Sequence, residues 1–309
     1  MDKSIERFLG IALFVAVVIV LYGLLQVPLL RFANQAANQP ANDQADVVDA
    51  TRSSRVDEIV IHSSLLHKTL PVRVYVPAIR SSKETLLPVI YMLHGTPGDY
   101  RDWLDLGNAK SILDESIARG DLPSVIAVFP EVDNDPSQAT EFVNRRDGTA
   151  PIMDYLATEL PQYIETHYHA STMRAIIGLS EGGYGAVNIA IHYQDRFPYA
   201  ASLSGYFVAR DIADNNFAFG HDVAYARVQS PLYWIKDQPT VKLPALYLAS
   251  ESGDEYGQEL NNFQSELAKQ NIQASIQFAN GEHGWDLWRS QLPDVLKWLG
   301  RYFNPLVAK

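Results

Sequence analysis

The chain has 309 residues, 47% hydrophobic and 20% charged, enough apolar content for a sizeable core and the wrong composition for a wholly disordered or fibrous protein. Its 25 Lys and Arg against 36 Asp and Glu give a formal net charge of −11, which argues against general nucleic-acid binding, a task that needs clustered positive charge. Cysteine is absent, which excludes disulfides, a thiolate metal site and a Cys nucleophile.

The first predicted element is a membrane span. Phe8 to Leu30 is an uncharged run of 23 residues, long enough as a helix to cross the ~30 Å bilayer core. It exceeds the ~7–15-residue apolar core of a cleaved signal peptide, so residues 1–31 read as an uncleaved signal anchor. Lys3 and Arg7 ahead of it keep the N-terminus cytoplasmic and place the rest of the chain outside the cytoplasm. Cleavage near Ala33 or Ala36–Ala37 would instead release a secreted protein. Residues 32–55, rich in Asn, Gln, Ala and Asp, read as a flexible tether spanning roughly 25 Å as a coil.

From residue 56 to 309 short β-rich runs alternate with longer helical ones. VDEIVIH (56–62) and LPVRVYVP (70–77) alternate in polarity and predict an antiparallel start. PVIYMLHG (88–95) and SVIAVFP (124–130) are continuous apolar runs that suit buried strands, with a helix predicted over 102–119 between them. A helix over 151–168, a strand over 174–180 and a helix over 182–193 follow. Strands over 199–205, 243–250 and 274–280, a helix over 255–270 and a last helix near 285–303 complete the series. Trp285, Trp288, Leu292, Val295, Leu299 and Phe303 share one face of that last helix. This alternation predicts an α/β fold around a mostly parallel sheet.

The motif Gly178-Leu179-Ser180-Glu181-Gly182 lies between a predicted strand and a predicted helix. In that setting a GxSxG turn lifts the Ser hydroxyl above the sheet and sets it at a helix N-terminus. The plainer alternative is an ordinary Gly-rich turn. A Ser nucleophile needs a base. His283, in NGEHGWDLW after the last predicted strand, is the candidate, whereas His192 falls inside a helix and His221 in a non-periodic segment. The acid that orients the base should come from SESGDEYG: Asp254, behind Gly253 at the turn, is the first choice, Glu251 the second, and Glu255 starts the next helix. The backbone amides of Glu181 and Thr96 are the candidate oxyanion donors, and His94 reads as structural. His167 and His169 do not share a helical face, and neither an HExxH motif nor a Cys/His cluster is present, so no metal site is expected.

The motifs LHGTPGDYRDW, AIIGLSEGGYGAVNIAIHYQDRFPYAASLSG, ASESGDEY and NGEHGWDLWRSQLPDVLKWL stand in the order seen in the "putative esterase" (esterase D-like) family of α/β-hydrolases, which this chain resembles over 56–303. That family includes S-formylglutathione hydrolases, feruloyl and siderophore esterases and mycolyltransferases. The resemblance implies an α/β-hydrolase fold with about eight strands, no cofactor, and a triad of Ser180, His283 and Asp254 with oxyanion donors Thr96 and Glu181. Many relatives carry Met at the position of Glu181, and mycolyltransferases usually carry Asp at that of His94, so a close mycolyltransferase match is not expected.

The expectation is therefore a membrane-tethered, extracytoplasmic serine esterase acting on a small or envelope-linked ester. Its bilayer contact would be the N-terminal helix. Two alternatives are an acyltransferase with the same triad, using an envelope sugar or lipid hydroxyl as acceptor, and a catalytically inactive binding module. Residues 206–242 read as a lid or pocket insertion. Tyr206, Phe207, Phe217, Phe219, Tyr225, Tyr233 and Trp234 would either wall an acyl pocket or pack the insertion onto the domain. Arg145 and Arg146 either form a local basic pocket or sit in a solvated loop.

Overall fold

Strand-forming and helix-forming runs alternate from Arg55 to Phe303, and the computed structural model arranges them as one eight-stranded sheet with helices on both faces. It describes residues 53–78, 86–133, 140–210, 218–238 and 242–304. The expected span over 1–31 and nearly all of the tether lie outside the described residues. Among the described residues no helix is long and apolar enough to cross a membrane.

The strands are β1 (Arg55–Ser63), β2 (Lys68–Val76), β3 (Leu87–Leu93), β4 (Ile126–Pro130), β5 (Ala170–Leu179), β6 (Tyr199–Leu203), β7 (Ala245–Glu251) and β8 (Ser275–Ala279). They lie in the order β1-β2-β4-β3-β5-β6-β7-β8. β2 runs antiparallel to both β1 and β4, and every other pair is parallel. The alternating polarity of β1 and β2 suits this half-covered edge, and the continuous apolar runs of β3, β4 and β5 suit the middle, where both faces are buried. One apolar cluster on each face forms the core.

The helices are α1 (Asp102–Asp105), α2 (Ala109–Arg119), α3, α4 (Glu181–His192), α5 (Val223–Val228), α6 (Pro231–Asp237), α7 (Glu255–Lys269) and α8 (Trp285–Phe303). α3 comprises Ile152–Asp154, a π-helical turn Tyr155–Glu159, and Leu160–His167. The helix expected over 102–119 is two helices. Asn108 takes a left-handed φ of 53°, and a Cβ on Gly107 would lie 2.6 Å from both the Trp103 carbonyl and the Trp285 ring. The break lets Trp103 turn inward, 1% exposed, with its indole donating to the Leu93 carbonyl at the end of β3.

α8 closes one face through Leu292, Val295, Leu296 and Leu299. Its backbone comes against the turn after α2 at Gly300, where a Cβ would lie 1.9 Å from the Asp121 carbonyl oxygen. Gly300→Ala should therefore cost about 1–3 kcal/mol by forcing α8 outward. A lower midpoint in thermal unfolding checks this, and an unchanged midpoint would show that the helix can shift freely.

Candidate active site

β5 is the central strand that delivers Ser180. The turn after it is sharp: Ser180 has φ 52° and ψ −121°, a conformation a non-glycine residue occupies only when its surroundings impose it. Those surroundings are backbone. A Cβ on Gly178 would lie 2.0 Å from the Gly182 carbonyl oxygen, and one on Gly182 would lie 2.2 Å from the His94 carbonyl oxygen. The two glycines let the first turn of α4 press against β3 and β5. The Ser180 amide donates to the Leu203 carbonyl (2.9 Å), and its carbonyl accepts from the amides of Gly183 and Tyr184.

The turn leaves the Ser180 hydroxyl 3.0 Å from His283 Nε2. His283 Nδ1 lies 2.6 Å from Glu251 Oε1. The carboxylate that meets His283 is therefore Glu251 and not Asp254, the first choice from sequence. β7 runs one residue further than expected, so Glu251 ends the strand instead of opening the loop, and its side chain is 1% exposed. Asp254 is the N-cap of α7, where its Oδ1 accepts the Gly257 amide at 2.8 Å.

Burial works against the Glu251 charge. The His283 hydrogen bond, its own amide and the hydroxyls of Ser204 and Ser250 outweigh that effect and lower its pKa to about 2. The Ser250 hydroxyl donates to Oε2 at 2.8 Å. Ser204 has a left-handed φ of 52°, and its hydroxyl accepts the Trp288 indole N–H at 2.9 Å. His283 is held by rings as well. Tyr256 stacks on it at 3.9 Å and Trp288 meets it edge-on at 5.0 Å. Ser204, Ser250, Tyr256 and Trp288 are supports that the sequence reading did not assign. Tyr256 and Trp288 lie within segments it singled out, but nothing in their spacing shows that they meet one histidine.

Glu181 opens α4, so its amide is among the four that a helix N-terminus leaves unpaired. The loop carrying Thr96 passes against Ser180, since a Cβ on Gly95 would lie 3.2 Å from that of Ser180. His94 is buried with Nδ1 on the Gly95 carbonyl and Nε2 3.5 Å from Glu131. Burial disfavours its charge, but Glu131 wins and raises its pKa. His192 packs within α4 and against Trp234, away from the serine.

The aromatic residues of the insertion mainly pack it down. Tyr206 and Phe207 are buried and stack on Tyr184 and Phe263, and Phe219 is buried as well. Phe217 lies outside the described residues. Arg146 is paired with Asp222 at 2.7 Å, and Arg145 lies 4.0 Å from Asp147. Elsewhere, a cleft of about 570 Å³ lies between β1, β2, α1 and α2. Its charges satisfy one another, Arg73 with Glu58 and Asp105, and Lys110 with Asp114. No cluster of metal-ligating side chains occurs among the described residues.

A family model described as "Putative esterase" matches residues 63–299. The chain belongs to this family. With it the protein falls among the carboxylic ester hydrolases. The acetyl esterase of Caldicellulosiruptor saccharolyticus is 23% identical over 272 residues, which cover 79% of this chain and 97% of that protein. The diacylglycerol acyltransferase/mycolyltransferase Ag85A of Mycobacterium leprae is 27% identical over 186 residues, and the match spans 47% of this chain and 56% of that one. Among solved structures, a ferulic acid esterase superposes with a TM-score of 0.68 at 22% identity, covering 82% of this chain and 99% of that one. A Staphylococcus aureus fluorophosphonate-binding serine hydrolase gives 0.69 at 20% identity, covering 80% and 99%. These likenesses establish the α/β-hydrolase fold.

Two outcomes separate the carboxylates. Glu251→Gln should lower kcat by roughly 10⁴-fold through loss of the imidazole's orientation and countercharge. Asp254→Ala should cost about 1 kcal/mol of stability as a lost helix cap and leave kcat near wild type. Steady-state kinetics and thermal unfolding of both variants check this, and the reverse pattern would restore Asp254. The pH dependence follows from Glu251 as well. Its folded pKa lies below the ordinary 4.5, so its stabilisation is complete above that value and is lost as pH falls toward about 2. Glu251→Gln should flatten the acid limb of the stability curve across that window.

Proposed function

We propose that the protein is a serine esterase in which Ser180, His283 and Glu251 act as one relay. The observation that supports this most directly is the pair of contacts at 3.0 and 2.6 Å that join the three side chains. His283 Nε2 takes the Ser180 proton as Oγ attacks the ester carbonyl, and Glu251 holds the ring with Nδ1–H toward itself and stabilises the imidazolium. The amides of Glu181 and Thr96 receive the developing oxyanion. His283 then protonates the departing alcohol, and Oγ is left as an acyl ester. Water, activated by the same imidazole, releases the acid and restores the serine. Since the acetyl esterase relative matches along nearly its whole length, a short acyl group is the substrate class to test first.

The mycolyltransferase relative supports a second reading, in which an alcohol replaces water in deacylation. An assembled relay weighs against an inactive binding module. The uncharged run from Phe8 to Leu30 supports an N-terminal anchor that holds the catalytic domain outside the cytoplasm.

A fluorophosphonate should label the wild type at Ser180, and labelling should vanish in Ser180→Ala and weaken in His283→Ala. Labelling that persists in Ser180→Ala would remove the nucleophile. A panel of acetyl, feruloyl and thioester substrates, run with and without an alcohol acceptor, identifies the acyl preference. Accumulation of acylated acceptor in place of free acid would establish transfer over hydrolysis.

A further inference from the structure

The reaction as drawn uses the backbone of Glu181 and leaves its side chain without a role. That side chain is 3% exposed beside the nucleophile, and a buried carboxylate must be paired or neutral. Its Oε1 accepts the Glu141 amide at 2.7 Å and the Thr140 hydroxyl at 3.4 Å. The residue that supplies that amide is a second buried glutamate. Glu141 is 2% exposed, and its Oε2 accepts the Tyr206 hydroxyl at 2.5 Å. Each carboxyl buries its other oxygen, Glu141 Oε1 and Glu181 Oε2, with no hydrogen-bond partner. Among the described residues neither forms an ion pair. Glu141 and Phe142 both take left-handed φ values, 54° and 49°, so the loop holds this arrangement against its own backbone preference.

We propose that Glu141 and Glu181 hold one proton between them, behind the Glu181 amide, as positioning residues that keep a second negative charge away from the oxyanion. That proton sits on Glu141, whose Oε1 is buried without a hydrogen-bond partner. Two buried carboxyls, one raised by the other's charge and neither in an ion pair among the described residues, cannot both ionise cheaply. The inference rests on the reading of Ser180 as nucleophile and of the Glu181 amide as oxyanion donor.

The groups around the pair fix the direction of its titration. Burial raises both pKa values, and the charge of Glu181 raises Glu141 further. Thr96 and His94, at the end of β3, and the amide hydrogen bonds pull Glu181 down, and Tyr206 and Arg210, after β6, pull Glu141 down. Glu131, at the end of β4, sits on His94 and raises its pKa, so the positive charge it favours there faces Glu181. Tyr184, on α4, stacks on Tyr206, and burial and both glutamates hold its phenol neutral. The outcome is upward for both carboxyls and strongly so for Glu141. The pair therefore keeps its proton at low pH and loses it as pH rises through the raised value. The doubly ionised pair then opposes the oxyanion.

Infrared spectra of the full chain across pH provide a readout independent of turnover. The wild type should show a protonated, buried carboxyl band that persists well above the ordinary glutamate range of ~4.3, and Glu141→Gln should lack it. Turnover of p-nitrophenyl acetate is the second readout. In the wild type kcat should fall roughly tenfold through an alkaline step while KM changes little, and Glu141→Gln and Glu181→Gln should each abolish that step. Absence of the band at neutral pH, or an alkaline step that survives both substitutions, overturns the proposal. A protein that shows the band but hydrolyses no ester supports the shared proton and overturns the Ser180 reading alone.

Discussion

The site depends on one backbone constraint, the left-handed turn at Ser180. A serine at φ 52° is unfavourable in isolation, and it is held there by contact between main chains. Gly178 and Gly182 bring the first turn of α4 against β5 and β3, and Gly95 brings the β3 loop against the serine itself. The same closeness that strains the turn gathers the hydroxyl, the helix N-terminus and the Thr96 loop at one edge of the sheet. The strain is therefore part of the site's assembly, offset by the apolar core on each face of the sheet.

Around that turn the same residue type is driven in opposite directions. Glu251 ends β7 with an imidazole and two hydroxyls about it, and its pKa is lowered to about 2. Glu141 is buried as deeply, and burial together with the charge of Glu181 raises its pKa well above the ordinary value. Environment, not residue identity, makes one a fixed anion and the other a proton holder. The first arrangement meets the imidazole of His283, and the second lies at the Glu181 side chain, next in sequence to Ser180.

Much of this was legible in the sequence because hydrophobic periodicity reports burial directly. The continuous apolar runs marked the central strands, and GxSxG between a strand and a helix marked the elbow. The carboxylate that meets His283 was ranked second, three residues before the first choice, because the strand end was placed one residue early. The local pattern could not tell whether Glu251 closed a strand or opened a loop, and Gly253-Asp254 looked like a turn when Asp254 is in fact a helix cap. The break at Leu106–Gly107–Asn108 was hidden because helical spacing continues across it, and the π turn in α3 leaves no periodic trace. Glu141 lies in an aperiodic loop, 40 residues from the side chain it bonds, and only the folded chain brings the two together.

If Ser180 is the nucleophile, the strained serine carries the acyl group between the two half-reactions. Acid quenching during the first turnover of p-nitrophenyl acetate, followed by peptide mass analysis, tests it most directly. One acetyl group per chain is expected on Ser180, and it should disappear on a longer incubation once substrate is exhausted. A burst of product with no adduct on Ser180, or an adduct on another hydroxyl such as Ser204, would contradict it.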